Sequence, residues 1–251
     1  MKKKIIVALV LSLSVLALSA CGAKQSASAK KDIIVGTNAE FPPFEYIDDS
    51  GNPDGFDIAL VKAIGEKLGK NVTIQNMEFD SLISSIGTKT DLVIAGMTVT
   101  DERKQSVDFT EPYYTAVQSV IVPVGSAIAS FDDLKGKKIG VQMGTTADFI
   151  SSDIEGAETA RYNKSIDAVN DLLNGRLDCV IVDKNPAETF VASHTGELEA
   201  LEGSNFDFED ESYAMAVAKG DAEFLKQVND ALSELKADGT IDKLTEEYIG
   251  D

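Results

Sequence analysis

Two opposite charges stand in this chain where apolar runs give out. Arg103 follows "DLVIAGM" (91–97) within "AGMTVTDERKQSVDFTEPYY" (95–114), and Asp183 closes "LDCVIVD" (177–183). A guanidinium is a planar fork of donors that matches a carboxylate in two parallel hydrogen bonds. An aspartate offers the complementary anion. Near Arg103, Thr98 supplies a hydroxyl and Gly96 a carbonyl that no side chain shields. A guanidinium and a carboxylate facing one another are what a zwitterionic α-amino acid requires.

Aromatic and amide-rich segments flank these charges. In "GTNAEFPPFEY" (36–46), Phe41 and Phe44 bracket Pro42-Pro43, where proline bars a helix. An aromatic on a stiff loop beside a strand end can wall a cleft. Phe41 suits that role and Phe44 suits the core, while Phe56, ahead of the helical pattern "DIALVKAI", could form the opposite wall. Gly144-Thr145-Thr146 follows "KIGVQM" and opens a helix, whose first N–H groups can bind an anion; a plain strand-to-helix turn explains it equally. His194, the single histidine, falls at a predicted helix end, where a solvated role favoured by the helix dipole outweighs catalysis. No metal-ligand spacing, P-loop or nucleophile elbow is present.

Alternating strand and helix signals position these groups, which is the pattern of an α/β protein. Strands are predicted at 32–37, 71–77, 91–97, 118–124, 137–143, 177–183 and 213–218. Asp57 is predicted to cap a helix with Ile58, Val61, Ile64 and Leu68 on one face, closed by Gly69. Asp80 is predicted to cap a short helix through Ile86. Further helices are expected at 165–174, 186–193, 221–240 and 241–249, the last two parted at Gly239. The segments 82–98 and 168–185 echo one another as helix, glycine turn, Asp and apolar strand. Two such units suggest two lobes facing a common cleft, and ligands of open α/β sheets bind beyond the carboxyl ends of strands.

Length and charge narrow the function classes. The chain has 251 residues with a formal net charge of −19. That charge disfavours nucleic acid, whose phosphates need a basic footprint. Lys2, Lys3 and Lys4 precede an apolar run from Ile5 to Leu18, shorter than the ~20 residues of a spanning helix. The run ends in Leu18-Ser19-Ala20-Cys21, which looks like a lipobox with Cys21 as the acylated nucleophile. Residues 22–31, "GAKQSASAKK", read as a flexible tether. Beyond Cys21 only Cys179 remains, so no intrachain disulfide is expected; a small buried strand residue is the reading for Cys179.

The motifs "GTNAEFPPFEY", "GFDIALVKAI", "AGMTVTDERKQSVDFTEPYY", "LKGKKIGVQMGTT", "LLNGRLDCVIVDKNPA" and "LKADGTIDKLTEEY" together resemble family 3 of the bacterial extracellular solute-binding proteins, over residues 32 to 251. The resemblance implies a two-lobed, periplasmic-binding-protein-like α/β fold of type II, with mixed sheets, flanking helices and two crossover hinge strands near 115–118 and 212–215. It divides the chain into a lipoprotein signal peptide (1–20), a tether (21–31), one lobe from 32–116 plus 214–251, and a second from 117–213. It implies that Arg103 clamps a ligand α-carboxylate with the Thr146 N–H. Asp183, the Gly96 carbonyl and the Thr98 hydroxyl would take the α-ammonium. Phe41 and Phe56 would sandwich the side chain, with Asn38, Glu40, Gln142 and Thr145 lining the distal pocket. The implied function is the substrate-binding component of an amino-acid ABC importer. The implied state is a monomer anchored by lipid on Cys21 at the extracytoplasmic face of the cell membrane, delivering ligand to permease subunits. No cofactor, metal or catalytic residue is expected. Arginine is favoured as ligand, since Glu40 could meet a guanidinium, with glutamine next. The alternatives are a dehydratase-type enzyme using Glu40 or Glu45 for proton transfer, and a receptor sensor domain, which the lipobox and the chain end at Asp251 disfavour.

Overall fold

The computed structural model describes residues 32–250. The expected signal segment 1–20, Cys21 and the tether 21–31 lie outside the described residues. The chain runs through β1 (Asp32–Thr37), β2 (Tyr46–Ile47), β3 (Pro53–Asp54), α1 (Phe56–Leu68), β4 (Asn71–Asn76), α2 (Leu82–Ser85), β5 (Leu92–Val93), β6 (Val107–Phe109) and β7 (Tyr114–Pro123). It continues through β8 (Lys138–Gln142), α3 (Thr146–Asp153), β9 (Glu158–Tyr162), α4 (Ser165–Leu173), β10 (Cys179–Asp183), α5 (Lys184–Ala192), β11 (Leu198–Leu201), β12 (Asp210–Tyr213), β13 (Ala216–Ala218), α6 (Ala222–Ala237) and α7 (Thr240–Tyr248). Among the described residues no helix is long and apolar enough to cross a membrane.

Two mixed sheets result. The first has the order β4-β1-β5-β13-β6, with β1 parallel to both β4 and β5, and β13 antiparallel to β5 and β6. Ile33 and Val35 of β1 are buried on alternate positions, as period-two patterning requires. Helix α1 packs against α6 and α7. Leu60, Val61 and Ile64 share one apolar cluster with Val228, Leu232, Leu235 and Ile241; each aliphatic so buried contributes about 1.5–3 kcal/mol. Gly69, at φ 63°, ends α1 by donating to the carbonyls of Glu66 and Gly65.

The second sheet has the order β11-β7-β10-β8-β9, and β12 also pairs with β7. Strand β7 is shared along its length. Tyr114–Val117 pair with β12, and the stretch from Gln118 onward pairs with β10 and β11. The chain thus passes from the first sheet to the second through β7 and returns through β12 and β13.

Four expectations change. Asp80 does not cap α2, which is preceded by Ser81 with no side-chain cap. The strand expected over 91–97 is laddered only at Leu92–Val93, because Gly96 turns at φ 49° and gives its N–H to the Asp57 carboxylate at 2.7 Å. Asp57 therefore does not cap α1; Gly55 precedes the helix and Asp57 is buried in its first turn. Strand β9, "ETARY", carries no apolar alternation, and it forms because β8 offers it a parallel edge.

Candidate functional site

Side chains from both sheets converge on one small cavity. Its lining includes Asn38, Phe41, Phe79, Gly96, Thr98, Arg103, Gln142, Thr145, Thr146 and Asp183. The loops after β1, β5 and β8 and the end of β10 supply most of them, so the cavity lies where the strands stop. Its volume is about 10 Å³, the room of a single water. A larger groove of about 1390 Å³ shares Thr98 and Thr146 with it but does not include Arg103 or Asp183. The guanidinium and the carboxylate line only the smaller of the two.

Arg103 is 7% exposed. One terminal nitrogen donates to the Thr98 carbonyl at 2.7 Å and the other to the Gly144 carbonyl at 3.0 Å. Its guanidinium lies 5.4 Å from the centre of the Phe79 ring, within cation–π range. Burial draws its pKa below the ordinary value, and the charges of Glu211 and Asp183 oppose that. The cation therefore sits in a largely desolvated setting, where a carboxylate gains most from it.

Asp183 is 8% exposed. Its Oδ1 accepts from the Tyr213 hydroxyl at 2.7 Å and from Gln118 Nε2 at 2.9 Å. Burial, then the charge of Glu211, pushes its pKa up to about 7. Glu211 lies on β12 and accepts from the Thr98 hydroxyl, from the Thr146 hydroxyl at 2.9 Å and from Gln118 Nε2 at 3.1 Å. One carboxylate thus ties a residue of the first-sheet side to a residue of α3.

Beyond this pair the cavity is walled by rings and amides. Phe41, 8% exposed, stacks on Phe44 with centroids 6.0 Å apart. A Cβ on Gly96 would come within 2.9 Å of the Phe41 ring, so glycine at 96 serves both the turn and the ring. Gln142 Nε2 donates to Asn38 Oδ1 at 2.7 Å and to the Asn163 carbonyl at 2.9 Å. Thr145 caps α3, its Oγ1 accepting from the Asp148 N–H. Thr146 opens that helix, where the first N–H groups have no intrahelical acceptor.

The structure brings together nine of the residues nominated from sequence: Asn38, Phe41, Gly96, Thr98, Arg103, Gln142, Thr145, Thr146 and Asp183. It does not bring in Phe56. That ring is fully buried, edge-on to Phe44 at 6.1 Å and beside Tyr113 and Tyr114, because its place at the start of α1 directs it into the core. The second ring at the cavity is Phe79, whose sequence signal was an aromatic just past the strand 71–77, like Phe41 past β1. Glu40 lies outside the cavity lining, and its Oε1 accepts from Lys164 Nζ at 2.6 Å. Glu45 is fully buried and does not line the cavity. His194 Nδ1 lies 3.1 Å from the Phe190 carbonyl at the end of α5, in agreement with a helix-end role. Cys179 is buried and free, its thiol pushed up to about 12 by burial, which leaves it inert. Among the described residues no cluster of three or more His, Cys, Asp or Glu could hold a metal. Sequence reasoning missed Glu211, Gln118, Tyr213 and Lys164; Glu211 and Lys164 sit in charged, polar stretches with no distinguishing pattern.

Residues 33–251 match the family described as bacterial extracellular solute-binding proteins, family 3. A probable histidine-binding protein of Neisseria gonorrhoeae is 37% identical, over 97% of this chain and 94% of its own. The arginine-binding extracellular protein ArtP of Bacillus subtilis (strain 168) is 36% identical, over 98% of each. An ancestral arginine-binding protein, solved bound to arginine and again bound to glutamine, superposes with TM-scores of 0.82 and 0.81 at 40% and 39% identity. Each comparison covers 88% of this chain and 99% of that one.

Proposed function

The chain belongs to the bacterial extracellular solute-binding proteins, family 3, and on that premise we propose that it is the substrate-binding component of an amino-acid ABC importer. It captures a polar L-amino acid between two lobes and delivers it to the permease. The observation that carries this reading is a buried guanidinium and a buried carboxylate, Arg103 and Asp183, lining one cavity. In this reading the ligand carboxylate replaces the Gly144 carbonyl on Arg103 and meets the Thr146 N–H. The ammonium goes to Asp183, with the Thr98 hydroxyl and Gly96 carbonyl. Phe41 and Phe79 flank the side chain, whose far end meets Asn38 and Gln142.

The proposed lobes are 32–116 with 214–251, and 117–213. The two sheets support this division, since β7 and β12 are the strands between them. Arginine leads as ligand and glutamine follows, by analogy with the arginine-binding relatives and the ancestral protein solved with either. The chain acts without enzymatic turnover, as a monomer. Lipid on Cys21 anchors it outside the cytoplasmic membrane, a reading supported by Leu18-Ser19-Ala20-Cys21.

A thermal-shift screen of all amino acids, on protein stripped of bound ligand, tests the function. A ligand at 100 times its Kd adds about 2.7 kcal/mol to stability, and arginine or glutamine should give the largest shift. Arg103→Ala should weaken every amino acid by about 100-fold or more, since it strands a buried carboxylate. A shift undiminished in Arg103→Ala, or none with any amino acid, overturns the proposal.

A further inference from the structure

Glu40 and Lys164 form an ion pair beside the cavity at 2.6 Å, with side chains 24% and 42% exposed. Its placement ties it to the cavity's far wall. On one side, the Glu40 N–H donates to the Asn38 carbonyl at 2.7 Å. On the other, Lys164 precedes α4, and both of its chain neighbours are bonded to Gln142. Gln142 Nε2 donates to the Asn163 carbonyl, and the Ser165 hydroxyl donates to Gln142 Oε1 at 3.1 Å. The Gln142–Asn38 amide pair and the Lys164–Glu40 ion pair therefore cross from the second-sheet side to the first-sheet side next to one another. The amide pair lines the cavity and the ion pair lies outside its lining.

This order has a consequence for selectivity. A ligand ending in a neutral amide finds its partners in Asn38 and Gln142 and leaves the ion pair whole. A longer cationic side chain would find Glu40, the carboxylate beside that amide pair, already held by the Lys164 ammonium. It must displace that ammonium to reach the carboxylate. We propose that Lys164 is a specificity-determining residue: it occupies Glu40 as a built-in cation and so holds down affinity for cationic side chains relative to neutral ones. The inference deepens the amino-acid-binding reading and rests on it.

Calorimetric titration of the ligand-stripped full chain with L-arginine and L-glutamine tests it, in the wild type, Lys164→Met, Lys164→Arg, Glu40→Gln and the Lys164→Met/Glu40→Gln double variant. The pair is part-exposed, so the effect is modest. Lys164→Met should raise the arginine-to-glutamine affinity ratio by about 3- to 10-fold. Lys164→Arg, which keeps the cation, should leave it near the wild-type ratio. In the Glu40→Gln background, Lys164→Met should lose most of its effect, because coupled residues are not additive. A ratio that is unchanged or lower in Lys164→Met overturns the inference, and so does a rise of equal size with and without Glu40. If the wild type binds no amino acid, the functional reading itself fails and takes the inference with it, a result seen before any variant is made.

Discussion

At Asp183 the competing effects can be ranked. Two hydrogen bonds favour its charged form, but burial and the neighbouring Glu211 charge win and raise it to about 7. A ligand ammonium placed against it would reverse the balance, because an opposite charge at contact distance favours the ionised acid. Binding then expels the proton that Asp183 holds below pH 7. Affinity for a zwitterionic amino acid should be level above about pH 7 and weaken below it, approaching about tenfold per unit. Calorimetry between about pH 5.5 and 8.5, with Asp183→Asn as control, checks this; the variant should bind weakly with a flat profile. An equally steep profile in Asp183→Asn would assign the proton elsewhere. Residues such as Arg103 and Asp183 were legible in the sequence because few residue types can bind a carboxylate or an ammonium, and both followed apolar runs. Phe56 and Phe79 were not separable, since each is an aromatic beside an element boundary. Only packing, with Phe56 against Phe44 and Tyr113, decides which ring is core.

Among the elements, α1 and the loop after β5 are joined by an acid pair that no helix-capping rule anticipates. Asp57 Oδ2 accepts from the Gly96 N–H at 2.7 Å and the Tyr113 hydroxyl at 2.8 Å, while Asp57 Oδ1 and both Glu45 oxygens are buried with no hydrogen-bond partner among the described residues. Both acids are fully buried. Burial, then Asp57, raises Glu45 well above the carboxylate range, and burial raises Asp57 to about 6. Two neighbouring buried carboxylates cannot both ionise cheaply, so Glu45 holds a proton. The folded chain retains a proton that the unfolded chain releases near pH 4; the stability is therefore full at low pH and lost as pH rises through the folded-state values. Glu45→Gln keeps a donor and removes the titration. Its stability relative to wild type should grow from pH 5 to pH 8 by up to about 1.4 kcal/mol per unit. Urea denaturation at the two pH values reads this directly, and a constant offset would refute the retained proton. Element identity was otherwise legible wherever apolar periodicity was strong, as in β1, β10 and α6. It failed at β9, a strand made by its neighbour, and at β7, whose first four residues pair only with β12.

For the whole molecule, the cavity's size sets the requirement. About 10 Å³ admits no amino acid, so the proposed lobes must part for a ligand to enter, by bending where β7 and β12 cross between the sheets. Several bonds hold them together: Arg103 to Gly144, Gln142 to Asn38, Lys164 to Glu40, and Glu211 to both Thr98 and Thr146. Of these, the Glu211 bonds arise on a crossing strand, and Glu211 does not line the cavity. Its loss should alter closure without altering what the cavity selects. Affinity scales with the fraction of molecules in the closed, competent state. Glu211→Ala should therefore weaken arginine and glutamine by the same factor, about tenfold for ~1.4 kcal/mol of lost closure, where Lys164→Met changes their ratio. Small-angle scattering supplies the structural readout. A closed body of roughly 220 residues has a radius of gyration near 17 Å; the ligand-free chain should exceed it, and saturating ligand should bring it down in wild type and variant alike. A radius unmoved by ligand would remove the hinge. A changed arginine-to-glutamine ratio in Glu211→Ala would instead place that carboxylate against the ligand, making it part of the selecting wall.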